Sequence, residues 1–193
     1  MGMGCRQSSS GHTGEGSAQA SEEKITPAYS VPSDPAAEES LRQAALDGDR
    51  DRVASLIEAG TEVDAVDPDG HTALMFAAFN GHSEIILILL GEGAELDRRD
   101  LMGRTALLYA STGPFPETVK ILLDKGALPN LVDSDEHFTP LMHAAAEGHL
   151  NVVKVLIEYG ADLTLQDVDG DDAESFAQQG GHQEVADYLR SIR

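Results

Sequence analysis

The sequence has 193 residues, of which 41% are hydrophobic and 5% aromatic, and its formal net charge at pH 7 is −21. This length and apolar content suffice for one domain or a short array of repeats, with a core of small and aliphatic side chains because tryptophan is absent. The charge keeps the protein soluble, argues against nucleic acid or anionic membranes as partners, and favours a basic one. Cys5 is the single cysteine, which excludes an internal disulfide, and no apolar run reaches the ~18 residues of a membrane span.

Residues 1–36 are predicted to be a disordered tail or linker. They are rich in Ser, Gly, Ala, Glu and Pro and show no hydrophobic periodicity. Pro27, Pro32 and Pro35 oppose a helix in this stretch.

The first residues, MGMGCRQSSSG, allow two interpretations. The first is an unmodified tail on a cytoplasmic protein. The second is the mature start of a bacterial lipoprotein, lipidated on Cys5 after removal of a signal peptide and therefore periplasmic. Myristoylation of Gly2 fits less well, because Arg6 stands where that pattern has Ser or Thr.

One stretch of sequence recurs through the rest of the chain. Its copies begin at Thr72, Thr105, Thr139 and Asp172, with spacings of 33, 34 and 33 residues. Two further series repeat at the same period, namely Gly60, Gly93, Gly126 and Gly160, and Asp67, Asp100, Asp133 and Asp167. A fixed period of this size indicates a stack of repeated structural units.

Each copy reads as a turn followed by two short helices. Asp67–Gly70, just before the copy that begins at Thr72, has the residues of a tight turn. Within that copy, Leu74 and Ala77 lie on one helical face. Asn80-Gly81 ends this helix, and the next covers Ile85–Leu90. Two such short helices cannot bury their apolar faces alone, so the copies must stack.

These residues resemble the ankyrin repeat. The copy that begins at Thr139 has Thr139-Pro140-Leu141, Ala144-Ala145, Gly148-His149 and Gly160-Ala161-Asp162, which follow the family motif almost letter for letter. The resemblance covers about residues 37–193. It implies an all-α solenoid of stacked helix–turn–helix units with β-turn tips along a concave groove. It also implies a protein-binding role and, as a rule, no catalysis.

Five repeats can be laid out, at about 37–67, 68–100, 101–133, 134–167 and 168–193. The first and last suit polar caps. The third has Gly113–Pro116 where the others have a Gly-His corner, and Pro116 can occupy the first turn of the second helix. Between the third and fourth repeats, Ser134–His137 contains one extra residue and has His137 at the glycine position, so this tip should bulge.

The candidate partner-binding residues are those that differ between copies at the turn tips and on the groove side of the first helices. Framework residues serve packing, whereas variable ones can serve a ligand. Phe79, Leu101, Met102 and Phe138 are expected to be partly exposed apolar anchors, unless Phe79 and Phe138 pack back into the stack. The full set is Pro68, Asp69, His71, Phe79, Asn80, Leu101, Met102, Arg104, Asp135, Phe138 and Glu147.

Neither a metal, a cofactor nor an enzyme activity is predicted. His82, His149 and His182 recur at the structural corner of the repeat. Asp167–Asp172 resembles a calcium loop but lacks the third alternating carboxylate and the later Glu. The chain contains none of the G-x-S-x-G, P-loop or H-E-x-x-H motifs.

The sequence therefore predicts a non-catalytic module, expected to be a monomer, that binds a partner protein through the groove. A partner with a basic surface is expected, and neither nucleic acid nor a transmembrane segment is. The alternative is a lipid-anchored periplasmic lipoprotein, bacterial in origin, that displays the repeats in a protective or stress-related role.

Overall fold

The computed structural model describes residues 34–193, which form ten α-helices and no strand. The helices are α1 Pro35–Asp47, α2 Arg50–Glu58, α3 Ala73–Phe79, α4 Ser83–Gly91, α5 Ala106–Ser111, α6 Pro116–Asp124, α7 Pro140–Ala146, α8 Leu150–Glu158, α9 Ala173–Gln179 and α10 Gln183–Ser191. Each odd-numbered helix packs against the even-numbered helix that follows it, which makes five consecutive pairs. The predicted all-α stack is confirmed.

The pairs stack in two layers. The first helices of successive pairs contact one another, as do the second helices, so the odd-numbered helices form one layer and the even-numbered helices the other. Leu74, Leu107 and Leu141 repeat at the same position of the first-helix layer and are buried in a single apolar cluster. Each such side chain contributes roughly 1.5–3 kcal/mol by leaving water, so neighbouring pairs stabilise one another.

The residues that open each copy are helix caps. The side chain of Thr72 accepts a hydrogen bond from the backbone N–H of Met75 at 3.3 Å, and Thr105 does the same for Leu108. Asp172 accepts from the N–H of Ser175 at 2.9 Å. A side-chain oxygen at this position satisfies one of the free N–H groups of the first turn, which explains why these positions recur as Thr or Asp.

The expectation that Pro35 opposes a helix was wrong. Pro35 is the first residue of α1, and Asp34 caps this helix by accepting from the N–H of Ala36 at 3.0 Å. Proline is tolerated at this position because its missing N–H would have no partner within the helix. Helix α1 thus begins two residues before the predicted start of the repeats at residue 37. Pro116 occupies the same position in α6, as predicted.

The junction between the two helices of a pair, which we call the corner, differs in the third pair. The other four corners have a glycine with positive φ, namely Gly48, Gly81, Gly148 and Gly181. At each of these corners, the residue after the glycine donates its N–H to the carbonyl of the residue five positions before it, at 2.9, 2.9, 2.9 and 2.8 Å in chain order. Pro114 takes the place of this glycine, and its ring holds φ near −65°. Within residues 34–193, Phe115 therefore lacks the equivalent bond to Ala110.

The bulge predicted at the third-to-fourth junction is centred on His137. His137 has φ 62°, the one positive value for a residue other than glycine in the described part of the chain. His137 stands where the other tips have Gly70, Gly103 and Gly170, all with positive φ, and histidine adopts this left-handed region more readily than most residues other than glycine.

Within the described range, none of the helices is both long enough and apolar enough to cross a bilayer. Cys5, on which the lipid-anchor alternative depends, lies outside the described residues.

Candidate functional site

The turn tips form a continuous row because backbone hydrogen bonds join each to the next. These bonds run from Leu101 N–H to the Asp69 carbonyl at 3.0 Å, from Ser134 N–H to Met102 at 2.8 Å, and from Val168 N–H to Glu136 at 3.1 Å. We number the tips by the helix pair that each precedes, so the second tip is 67–71, the third 100–104, the fourth 133–138 and the fifth 167–171. We use the name groove surface for these tips together with the exposed side chains of the first-helix layer.

Most of the predicted site residues are exposed on the groove surface. Leu101 is 73% exposed, Phe79 48% and Met102 39%. Pro68, Asp69, Asn80, Asp135 and Glu147 are exposed as well, whereas His71, Arg104 and Phe138 are half-buried. The structure thus presents three apolar side chains among carboxylates.

Two of the predicted residues also serve the stack. Phe138 is half-buried, and its ring contacts those of Phe176 at 4.9 Å and His143 at 5.4 Å between centroids. The Asn80 side chain donates to the carbonyl of Leu46 at 2.7 Å and so links the first two pairs. Changes at either position would therefore alter packing between pairs as well as any contact with a partner.

A hydrogen-bonded network centred on Asp100 joins the second and third tips. The Asp100 side chain is fully buried, and its Oδ1 accepts from the N–H groups of Met102 and Arg104, each at 2.8 Å. Its Oδ2 accepts from the Tyr109 hydroxyl at 2.6 Å and lies 3.6 Å from Nε2 of His71. Nδ1 of His71 lies 2.9 Å from Oδ2 of Asp67, so His71 bridges two carboxylates.

The network sets the charge of its members. Burial acts to raise the pKa of Asp67, but hydrogen bonds from the backbone N–H and ring of His71 outweigh it and lower the pKa. Burial, reinforced by the hydrogen bond to Asp100, raises the pKa of Tyr109. The phenol therefore stays protonated and continues to donate to the buried carboxylate.

Three side chains at the second tip approach one another closely enough to share a cation. Ligand atoms of Asp67, Asp69 and His71 lie within 4.8 Å of one another. The Asp67 carboxylate, however, already accepts from two backbone N–H groups and pairs with the His71 ring. A hydrogen-bonded turn accounts for this cluster without an ion.

Two of the tips carry an aromatic or imidazole ring that contacts the next pair. His71 lies 5.4 Å from Phe76 of its own pair and 5.8 Å from Tyr109 of the next. Two tips further on, Phe138 contacts His143 of its own pair and Phe176 of the next in the same way. The sequence carried a signal for this arrangement, since the fifth residue of every copy is a ring: Phe76, Tyr109, His143 and Phe176.

An apolar cavity on the groove surface was missed by sequence reasoning. It measures about 210 Å³, and its lining comes from three successive pairs: Leu46, His71, Met75, Phe76, Phe79 and Tyr109. The rings of Phe79 and Tyr109 meet edge to face, at 6.2 Å and 84°. Only His71 and Phe79 belong to the predicted site.

A larger hollow of about 460 Å³ lies at the third corner. Its lining includes Pro114, Pro116, His149, Lys154 and Glu184. It is open and mostly polar, and therefore less suited than the smaller cavity to hold an apolar group.

Comparison with known proteins matches residues 41–133 and 114–192 to a family model described as ankyrin repeats (3 copies). The chain is 40% identical to an ankyrin repeat protein of Rickettsia bellii over 52 residues, which cover 27% of this chain and 31% of that protein. It is 41% identical to the Notch-regulated ankyrin repeat-containing proteins of Xenopus tropicalis and Homo sapiens over 51 residues, or 26% of this chain and 45% of each of those. The chain thus spans less than half the length of the curated relatives it matches.

The family match covers most of the described residues and agrees with the paired helices, the Thr caps and the linked tips. The chain therefore belongs to the ankyrin repeat family, whose members are generally non-enzymatic modules for protein–protein interaction.

Proposed function

We propose that this chain is a non-catalytic binding protein whose groove surface, at the second to fourth tips, contacts a partner protein. The observation that carries the proposal is the exposure of Leu101, Met102 and Phe79 on one surface. Large apolar side chains surrounded by polar ones are typical of the few residues that supply most of the affinity in protein interfaces.

The charge of the chain indicates the kind of partner. The formal net charge is −21, and Asp69, Asp135 and Glu147 are exposed on the groove surface. A basic partner surface would be attracted from a distance and would bind more weakly as salt is added. The chain binds this partner as a monomer.

The proposal can be tested by capturing the partner from a lysate of the source organism and measuring its affinity for the purified full chain and its variants. The informative variant is Leu101→Ala combined with Met102→Ala, since both side chains project from the tip at 100–104 and lie outside the apolar cluster. Phe138 is left intact because it packs against Phe176. Truncation of an interface hot spot typically costs ~2 kcal/mol or more, so the double variant should bind at least about 30-fold more weakly.

The chain offers a matched control. Leu87 is 46% exposed and lies on α4, in the second-helix layer, so Leu87→Ala truncates one exposed leucine on another part of the protein. We expect this variant to bind normally. If it loses affinity and the double variant does not, the partner contacts the second-helix layer and the proposal is wrong.

A further inference from the structure

The cavity between Leu46, Phe79 and Tyr109 is large enough to hold a group from the partner. We propose that it takes one bulky apolar side chain, aromatic or leucine-like, from a basic segment of that partner. This inference rests on the proposed function and names the chemistry that the groove surface recognises.

The size of the cavity suits a single side chain. An engineered cavity of about 150 Å³ holds a benzene molecule, so about 210 Å³ accommodates a phenyl ring or a branched aliphatic group. Met75, which is 2% exposed, lies at the buried end. Phe79, nearly half-exposed, lies at the mouth. The cavity therefore opens on the groove surface and is closed beneath by the stack.

The lining favours a neutral guest over a charged one. Aromatic rings can bind cations, but burying an ammonium group without a carboxylate partner is costly. The nearby carboxylates are already engaged: both oxygens of Asp100 accept hydrogen bonds, and both oxygens of Asp67 are bonded at the second tip. An apolar guest needs no such partner and gains contact with Phe76, Phe79 and Tyr109.

The surroundings of the cavity favour basic residues on either side of the guest. Asp47 follows Leu46 at the end of α1 and is exposed, and Asp69 is exposed two residues before His71. Lysine or arginine beside the anchoring side chain would reach these carboxylates while remaining in water. The apolar group supplies burial, and the basic residues supply attraction and orientation.

Three acetylated, amidated pentapeptides can test both parts of the inference by NMR titration of the full chain. Their sequences are Lys-Lys-Phe-Lys-Lys, Lys-Lys-Ala-Lys-Lys and Glu-Glu-Phe-Glu-Glu. The reporters are the Met75 and Leu46 methyl groups, with the Met142 methyl as an internal control because it is buried at the equivalent place in α7. The Phe-containing basic peptide should shift Met75 and Leu46 and spare Met142. The other two should bind at least about tenfold more weakly.

Two variants locate the binding. Leu46→Trp fills the cavity, and Phe79→Ala removes its outer wall; each should weaken binding of the basic Phe peptide by about tenfold. Phe79 is half-exposed, so Phe79→Ala will fold even if the larger residue at position 46 is not accommodated. Leu87→Ala is the control and should bind the peptide as the wild type does. Far-UV circular dichroism and the unfolding midpoint verify the fold of each.

Several outcomes would overturn the inference. If the basic Phe peptide shifts Leu101 and Met102 but not Met75, or binds Phe79→Ala with unchanged affinity, the cavity is not the anchor site. If the acidic Phe peptide binds as tightly as the basic one, the partner segment is not selected for basic residues. If none of the three peptides shifts the reporter methyl groups, the whole inference is wrong. In each case the wider proposal is decided separately, by the affinity of the captured partner for the Leu101→Ala/Met102→Ala variant.

Discussion

The ring of Phe115 lies directly against Gly81, so that a β-carbon at Gly81 would be only 2.4 Å from Cδ1 of the ring. At other corners a histidine ring takes this position, as His82 does against Gly48 and His182 against Gly148. His82 also places Nε2 3.1 Å from the carbonyl of Leu46, a hydrogen bond that a phenyl ring cannot make. The third pair is therefore held to the second at this corner by ring packing.

Gly81→Ala should destabilise the protein by more than the backbone cost alone. Gly81 has φ 71°, where a side chain costs roughly 1–2 kcal/mol, and the added methyl also collides with Phe115. The free energy of unfolding, measured by chemical denaturation, should fall by about 3 kcal/mol once overpacking is included.

Gly181→Ala is the matched control for this change. Gly181 has φ 75° at the last corner, but an added β-carbon there would meet nothing within 4 Å. This variant should show the backbone cost only. Adding Phe115→Ala to Gly81→Ala should recover part of the difference; if the two glycine variants lose equal stability, the contact with Phe115 is unimportant.

The third corner should exchange its amide hydrogens faster than the second and fourth corners. Pro114 prevents the left-handed turn, Phe115 lacks the bond to Ala110, and Pro116 has no N–H to donate. In a linear array, stability can vary from one unit to the next. Hydrogen exchange at residues 112–117 should therefore be faster than at residues 79–84 and 146–151.

A double variant, Pro114→Gly with Phe115→His, restores the residues of the other corners. Exchange at residues 112–117 should slow towards that of the second corner, because each recovered hydrogen bond contributes roughly 1 kcal/mol. Equal protection of the second, third and fourth corners in the unaltered chain would contradict the prediction.

Asp100→Asn should weaken the link between the second and third tips. An amide keeps one oxygen for the two backbone N–H groups, but its own N–H groups then face the Tyr109 hydroxyl, which donates to the carboxylate in the unaltered chain. Disrupting this buried hydrogen bond costs roughly 1–3 kcal/mol, so the free energy of unfolding measured with denaturant should fall by about that amount. Asp69→Asn changes an exposed carboxylate on the neighbouring tip and should cost less than about 0.5 kcal/mol. Similar losses for both variants would show that the Asp100 network does not hold the tips.

Stability should decrease below about pH 6.5 in part because of His143. Burial lowers the pKa of His143 in the folded protein, despite the opposing effect of Asp133. As pH falls, the unfolded chain therefore takes up the proton first, and the free energy of unfolding decreases until the pH reaches the folded-state pKa. The stability that is lost in this way is fully present at pH values above the unfolded-state pKa of His143.

The test compares unfolding at pH 7.5 and 5.5, values on either side of about 6.5. His143→Gln should lose less stability between these values than the unaltered chain. His137→Gln, at an exposed position, should behave like the unaltered chain because both retain the half-buried imidazole of His143. An identical pH dependence for His143→Gln would exclude this contribution.

The sequence by itself determined the repeated framework, because its causes are local. A side chain that caps a helix reaches only two or three residues along, as from Thr72 to Met75, and the apolar period of each helix lies within one copy. Exposure of Leu101 and Met102 could be predicted for the same reason, since tip positions make no regular packing contacts. That these residues bind a partner stays a prediction. Pro35 was misjudged because its effect depends on where in a helix it falls.

The tertiary structure alone decided what the copies build together. Leu46, Phe79 and Tyr109 are 30 or more residues apart, and they enclose a cavity only when three pairs stack. Likewise, Phe138 is half-buried because Phe176 reaches it from the next pair, and His71 bridges two tips because Asp100 lies in the neighbouring one. Contacts between copies depend on side-chain directions and helix separation, which the period of the sequence does not encode.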